Sequence, residues 1–106
     1  MATYGVVLVT APSQEEALKL ANHLVKESLA ACVNFFPLHS VYKWQGEIHH
    51  DDEWQLLIKT DLDYFNILAA RIQELHSYEV PEVIALPITQ GAKSYLDWVS
   101  EQTTFQ

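Results

Sequence analysis

Apolar and polar residues alternate along the chain in two periods, and the periods change at identifiable breaks. Thr3 to Thr10 is β-branched and almost continuously apolar, the pattern of a strand covered on both faces. Ala11-Pro12 ends it. Ser13 stands three residues before Glu16, the spacing of a capping box, in which each side chain bonds the other's backbone N–H. Helical spacing follows and places Ala17, Leu18, Ala21, Leu24, Val25 and Leu29 on one stripe, with Glu15, Lys19, Asn22, His23 and Lys26 outside it. Ala30 to Phe36 reads as a second strand, interrupted at Pro37 and resumed from Val41 to Glu47, with Tyr42 and Trp44 on one face. Ile48 to Asp52 is expected to be a polar turn. Glu53 to Thr60 then returns as a third strand, closing a long hairpin.

Asp61 is placed to cap a second helix, whose apolar face holds Phe65, Leu68, Ile72 and Leu75. His76 to Pro81 is irregular, because Pro81 stops a helix and forces Val80 to be extended. Glu82 to Ile88 is a fourth strand, and Pro87 suits an edge or a bulge. Gly91 marks a turn. Ser94 with Asp97 opens a short last helix carrying Tyr95, Trp98 and Val99. The order is β-α-β-β-α-β plus a C-terminal helix, an α+β chain of the ferredoxin-like, split β-α-β type. Two helices cover one face of such a sheet. Val6 to Val9, Leu56 to Ile58 and Val83 to Leu86 nevertheless put apolar side chains on both faces. A bare apolar face above roughly 300–600 Å² is uncommon on a monomer. Self-association is therefore expected to cover the second face, with cover by the C-terminal helix alone as the alternative.

Composition narrows the function. The length of 106 residues fits one domain, 1–106, with a modest core of its own. Fourteen acidic residues against six basic ones give a charge of -8. That argues against nucleic acid as a partner and against docking on anionic lipid, and it suits cations. Nothing in the sequence reads as a membrane span or an export signal. The single cysteine, Cys32, cannot form an internal disulfide. A cytoplasmic protein is the expectation.

Candidate chemistry is sparse. The three glycines make neither a P-loop nor a dinucleotide fingerprint, and Arg71 is the only arginine, placed on a helix toward solvent or Glu74. His49-His50-Asp51-Asp52-Glu53 is dense in metal-compatible donors, but neighbours on a strand point to opposite faces. His76 closes an apolar helix, where the dipole favours a cation, and Tyr78 and Glu79 follow it. Cys32 lies among small apolar residues. Glu79 and Glu82 flank Val80-Pro81, but no nucleophile or oxyanion hole accompanies them, so catalysis is not expected. Tyr42, Trp44, Trp54, Tyr78, Tyr95 and Trp98 divide between core and interface.

Five segments together resemble the CutA family of divalent-cation tolerance proteins. They are Ala31-Cys32-Val33-Asn34, Tyr42-Lys43-Trp44-Gln45-Gly46-Glu47, Leu57-Ile58-Lys59-Thr60, His76-Ser77-Tyr78-Glu79-Val80-Pro81-Glu82 and Tyr95-Leu96-Asp97-Trp98. The resemblance runs from about Val6 to Trp98. It implies a ferredoxin-like subunit in a homotrimer, joined partly through the long hairpin. It also implies a link to tolerance of copper and other divalent metals. The family's copper ligands are a cysteine just before the Thr-Ala-Pro turn and a His-His pair. Those positions hold Val9 and Leu75-His76 here, so only His76 matches, while Cys32 matches a second family cysteine. The resulting expectation is a non-enzymatic trimer with weak or conditional metal binding, His76 the first ligand candidate and Cys32 and Glu79 the weaker ones. Two alternatives share the fold. One is a PII-like trimeric sensor taking a small molecule at intersubunit clefts. The other is an acylphosphatase-type enzyme, which lacks its Arg-bearing Gly-rich loop here.

Overall fold

In the computed structural model, residues 2–104 are described; Met1 and residues 105–106 lie outside them. The elements are β1 (Tyr4–Ala11), α1 (Gln14–Lys26), β2 (Cys32–Trp44), β3 (Glu47–Asp61), a single 3-10 turn (Leu62–Tyr64), α2 (Phe65–Leu75), β4 (Ile84–Pro87) and α3 (Lys93–Gln102). The four strands form one antiparallel sheet in the order β2-β3-β1-β4. This is the ferredoxin-like arrangement that the element order predicts.

The core lies between one sheet face and helices α1 and α2. Val7, Val9, Leu56 and Ile58 face it from the sheet; Ala17, Leu20, Leu24, Leu68 and Ile72 meet them from the helices. β1 alternates between buried residues on this face and half-buried ones on the other. On α1 the buried stripe is Ala17, Leu20, Ala21 and Leu24, spaced i, i+3, i+4, i+7. Leu18 and Val25, expected on that stripe, are exposed instead, because each sits about 100° around the helix from a buried neighbour.

Both ends of α1 are capped. Ser13 Oγ accepts from the Glu16 N–H at 3.1 Å. The reciprocal half of the expected capping box is not among the hydrogen bonds of the described residues, because Glu16 turns to Ser77. At the C-terminus Ser28 adopts φ 60°. Its N–H bonds Val25 O at 3.1 Å, and the Leu29 N–H bonds Leu24 O at 3.0 Å. This is a Schellman motif, and its hydrophobic partners Leu24 and Leu29 are both buried. Leu29 thus joins the core from beyond the helix, not as part of its stripe. Arg71 of α2 grips Glu27, the C-cap residue of α1, with two 2.8 Å bonds and reaches Glu74 at 3.4 Å, so its main partner is a carboxylate at the end of the other helix. This Arg71 fork holds the Glu27 carboxyl below its usual range.

Three expectations for the strands are corrected. The hairpin turns at Gln45-Gly46, with φ 52° and 81°, and not at Ile48–Asp52. Positive φ at both central residues is the requirement of a type I′ turn, whose twist matches the flanking strands. β3 consequently runs straight through His49–Asp52. Pro37 does not interrupt β2, since β2 is an edge strand and a missing N–H can point to solvent there. β4 is shorter than expected and lies at the other edge, as Pro87 suggested. Helix α3 begins at Lys93 without a side-chain cap, so Ser94 lies inside it, and Lys93 pairs with Asp97 at 2.7 Å instead.

The hairpin outruns the sheet. β2 and β3 pair from Cys32↔Lys59 to Trp44↔Glu47, while β1 meets β3 only as far as Ala11↔Trp54. Residues 38–44 and 47–53 therefore project beyond the sheet, with Val41 and Ile48 about two-thirds exposed. On the face away from α1 and α2, helix α3 contacts β1 and β3 and buries Val99 completely. Tyr95 of α3 lies against Cys32, and burial followed by that thiol holds the tyrosine hydroxyl above its ordinary range. Cover from α3 is partial, since Ile84 and Leu86 remain about half exposed.

Replacing Ser28 by Gly should stabilise the chain by about 1 kcal/mol, because a left-handed backbone costs any residue with a Cβ roughly that much. A denaturant midpoint that falls in Ser28→Gly would contradict the Schellman geometry.

Candidate functional site

A cleft of about 630 Å³ opens where the hairpin leaves the sheet. Its base is Thr10, near the end of β1, and Glu53, in β3. Ser40, Tyr42 and Trp44 of β2 form one wall, and the segment 77–82 forms the other. The register explains the wall. Leu38↔Glu53, Ser40↔Asp51 and Tyr42↔His49 alternate, so Ser40, Tyr42 and Trp44 share one face with Glu53. That face continues the side of the sheet away from α1 and α2.

His76 pins the opposite wall in place. It caps α2 through its own N–H to Ile72 O at 2.8 Å. Its ring is wholly buried. Nε2 lies 2.7 Å from Thr10 O and Nδ1 accepts the Tyr78 N–H at 2.9 Å, an assignment fixed by the partners because a carbonyl can only accept and an amide N–H can only donate. Glu16 Oε2 stands 3.3 Å from Nδ1 and takes hydrogen bonds from Ser77 N and Oγ. The Tyr78 ring packs on the imidazole, centroids 4.7 Å apart. Its hydroxyl donates to Glu53 Oε2 at 2.7 Å. One chain of contacts therefore runs from β1 through His76 and Tyr78 to β3.

Glu53 is only 6% exposed, yet it lines the cleft. Tyr78 is its one hydrogen-bond donor among the described side chains. Burial raises the Tyr78 hydroxyl far above the ordinary tyrosine range, and the Glu53 carboxylate adds to the effect. Tyr42 is raised in the same direction by its hydrogen bond to Asp51.

The structure does not gather the expected ligands. Cys32 pairs with Lys59, which is level with Val6, while His76 contacts Thr10. Four residues of strand separate the two levels, roughly 13 Å. Both His76 nitrogens are committed to backbone groups, so binding a metal there would break one of those bonds. Of the three expected ligands only Glu79 is exposed; it lines the cleft beside Glu82, which is exposed as well. His49 and His50 fall on opposite faces of β3, and His49 stacks on Tyr42 at 5.4 Å. Among the described residues, no three of His, Cys, Asp and Glu converge as a metal set would. Sequence reasoning overlooked Glu53 as a single residue and Thr10 as the His76 acceptor. Strict alternation from Leu56 backward would have placed Glu53 opposite the core.

The fold and cleft define a ferredoxin-like α+β protein whose overlong hairpin builds a polar, aromatic cleft. Residues 5–102 match the family described as CutA1 divalent ion tolerance protein. The divalent-cation tolerance protein CutA of Thermus thermophilus is 52% identical over 99 residues, covering 92% of this chain and 96% of the relative. A solved structure of the divalent cation tolerance protein from Thermus thermophilus superposes with a TM-score of 0.93 at 51% identity, over 95% of this chain and 99% of the other. The chloroplastic protein CutA of Arabidopsis thaliana is 48% identical over 92% of this chain and 54% of its own length. The structure of the periplasmic divalent cation tolerance protein CutA from Archaeoglobus fulgidus has a TM-score of 0.93 at 38% identity, covering 95% of this chain and 99% of that one. The chain belongs to the CutA1 family.

The tyrosines give the pH test. A hydroxyl whose pKa is raised by folding contributes stability that is complete below the unfolded value of about 10 and is lost as pH rises through the folded value. Ultraviolet titration should therefore show tyrosine ionising late, coupled to alkaline unfolding. Tyr78→Phe should remove one late-ionising group. An unchanged titration curve in that variant would contradict the Tyr78–Glu53 bond.

Proposed function

We propose that the chain is a divalent-cation tolerance protein of the CutA type, acting without catalysis as a homotrimer in the cytoplasm. Its response involves weak binding of copper or another divalent cation. The observation that carries this reading is the family match across residues 5–102, in which relatives are named for divalent-cation tolerance. The charge of -8 supports it by attracting cations. The overhanging hairpin and the half-exposed Ile84 and Leu86 support assembly, because they leave apolar surface for another copy. Relatives named chloroplastic and periplasmic place the family in more than one compartment, and the cytoplasmic assignment follows this chain's sequence alone.

Glu79 is the accessible member of the candidate trio of His76, Cys32 and Glu79. A metal held at Glu79 would need further oxygen donors from Glu82 or from a second copy. Such carboxylate sites are weaker for copper than sites with thiolate or imidazole ligands. The cleft itself favours a second reading, a PII-like trimeric sensor, since its volume is that of a small-molecule site.

In solution the particle should weigh about three times the 12.1 kDa chain; a 12.1 kDa particle at micromolar concentration would overturn the trimer. Calorimetric titration with copper and zinc should give saturable heat that weakens in Glu79→Gln. No heat with either metal would overturn the metal-binding part. Saturable binding from a nucleotide panel would favour the sensor.

A further inference from the structure

We draw no further inference here: the strongest candidate, the shallow groove that Glu15, Leu18, Lys19, Asn22 and His23 form on the outer face of α1, carries nothing, because nothing in the structure shows what covers it.

Discussion

The unequal reach of the central strands is the constraint from which the rest follows. β3 has 15 residues and β2 has 13, but β1 has only eight. Past Trp54 the hairpin has no third strand beside it. A two-stranded ribbon in water is marginal alone, so its side chains must find other cover. Within the chain the cover is the segment after α2, which folds back over Glu53. Beyond the chain the ribbon offers Val41 and Ile48, too apolar to suit solvent. The cleft and the surface available for assembly are thus two consequences of one mismatch in strand length.

His76 makes the inner cover possible. A segment holding Ser77, Tyr78, Glu79 and Pro81 has no helix or strand hydrogen bonds of its own. It is fixed by a buried imidazole that commits one nitrogen to β1 and the other to the segment itself. Glu16 contributes from α1 by binding Ser77, and its side chain is thereby withheld from the helix cap. The missing half of the capping box and the position of Tyr78 are the same fact. An imidazole so placed has a structural role at the edge of a cleft. Its resemblance to a family ligand is a resemblance of position.

The element order, the core and the edge placement of Pro87 are legible in the residues, because each rests on a local rule: a period, a cap or a missing N–H. The helix phase reads one residue off at Leu18 and Val25, since apolar residues adjacent to a stripe look like members of it. The hairpin turn is misplaced by the polarity of His49–Asp52, because polarity in a projecting ribbon does not mark a turn. Gln45-Gly46 holds the better signal, a glycine supplying positive φ between two matched runs. Cys32 and His76 read as members of one site because sequence does not show the distance between strand ends. The pairing Cys32↔Lys59 settles it. Glu53 is submerged in an acidic run, and only the register separates it from Asp51 and Asp52.

The acidity of the chain reads differently once its charges are placed. Many of the carboxylates are already engaged. Glu27 is answered by Arg71, Asp97 by Lys93 and Asp52 by His39, while Asp61 bonds the backbone of Thr3 and Asp63. Glu53, Glu79 and Glu82 differ because they share a concave space that no basic side chain enters. A convex surface screens its charges within about 8 Å at physiological ionic strength, but a cleft with low-dielectric walls concentrates the field. Positive charge drawn by the net -8 is therefore focused where Glu53 sits.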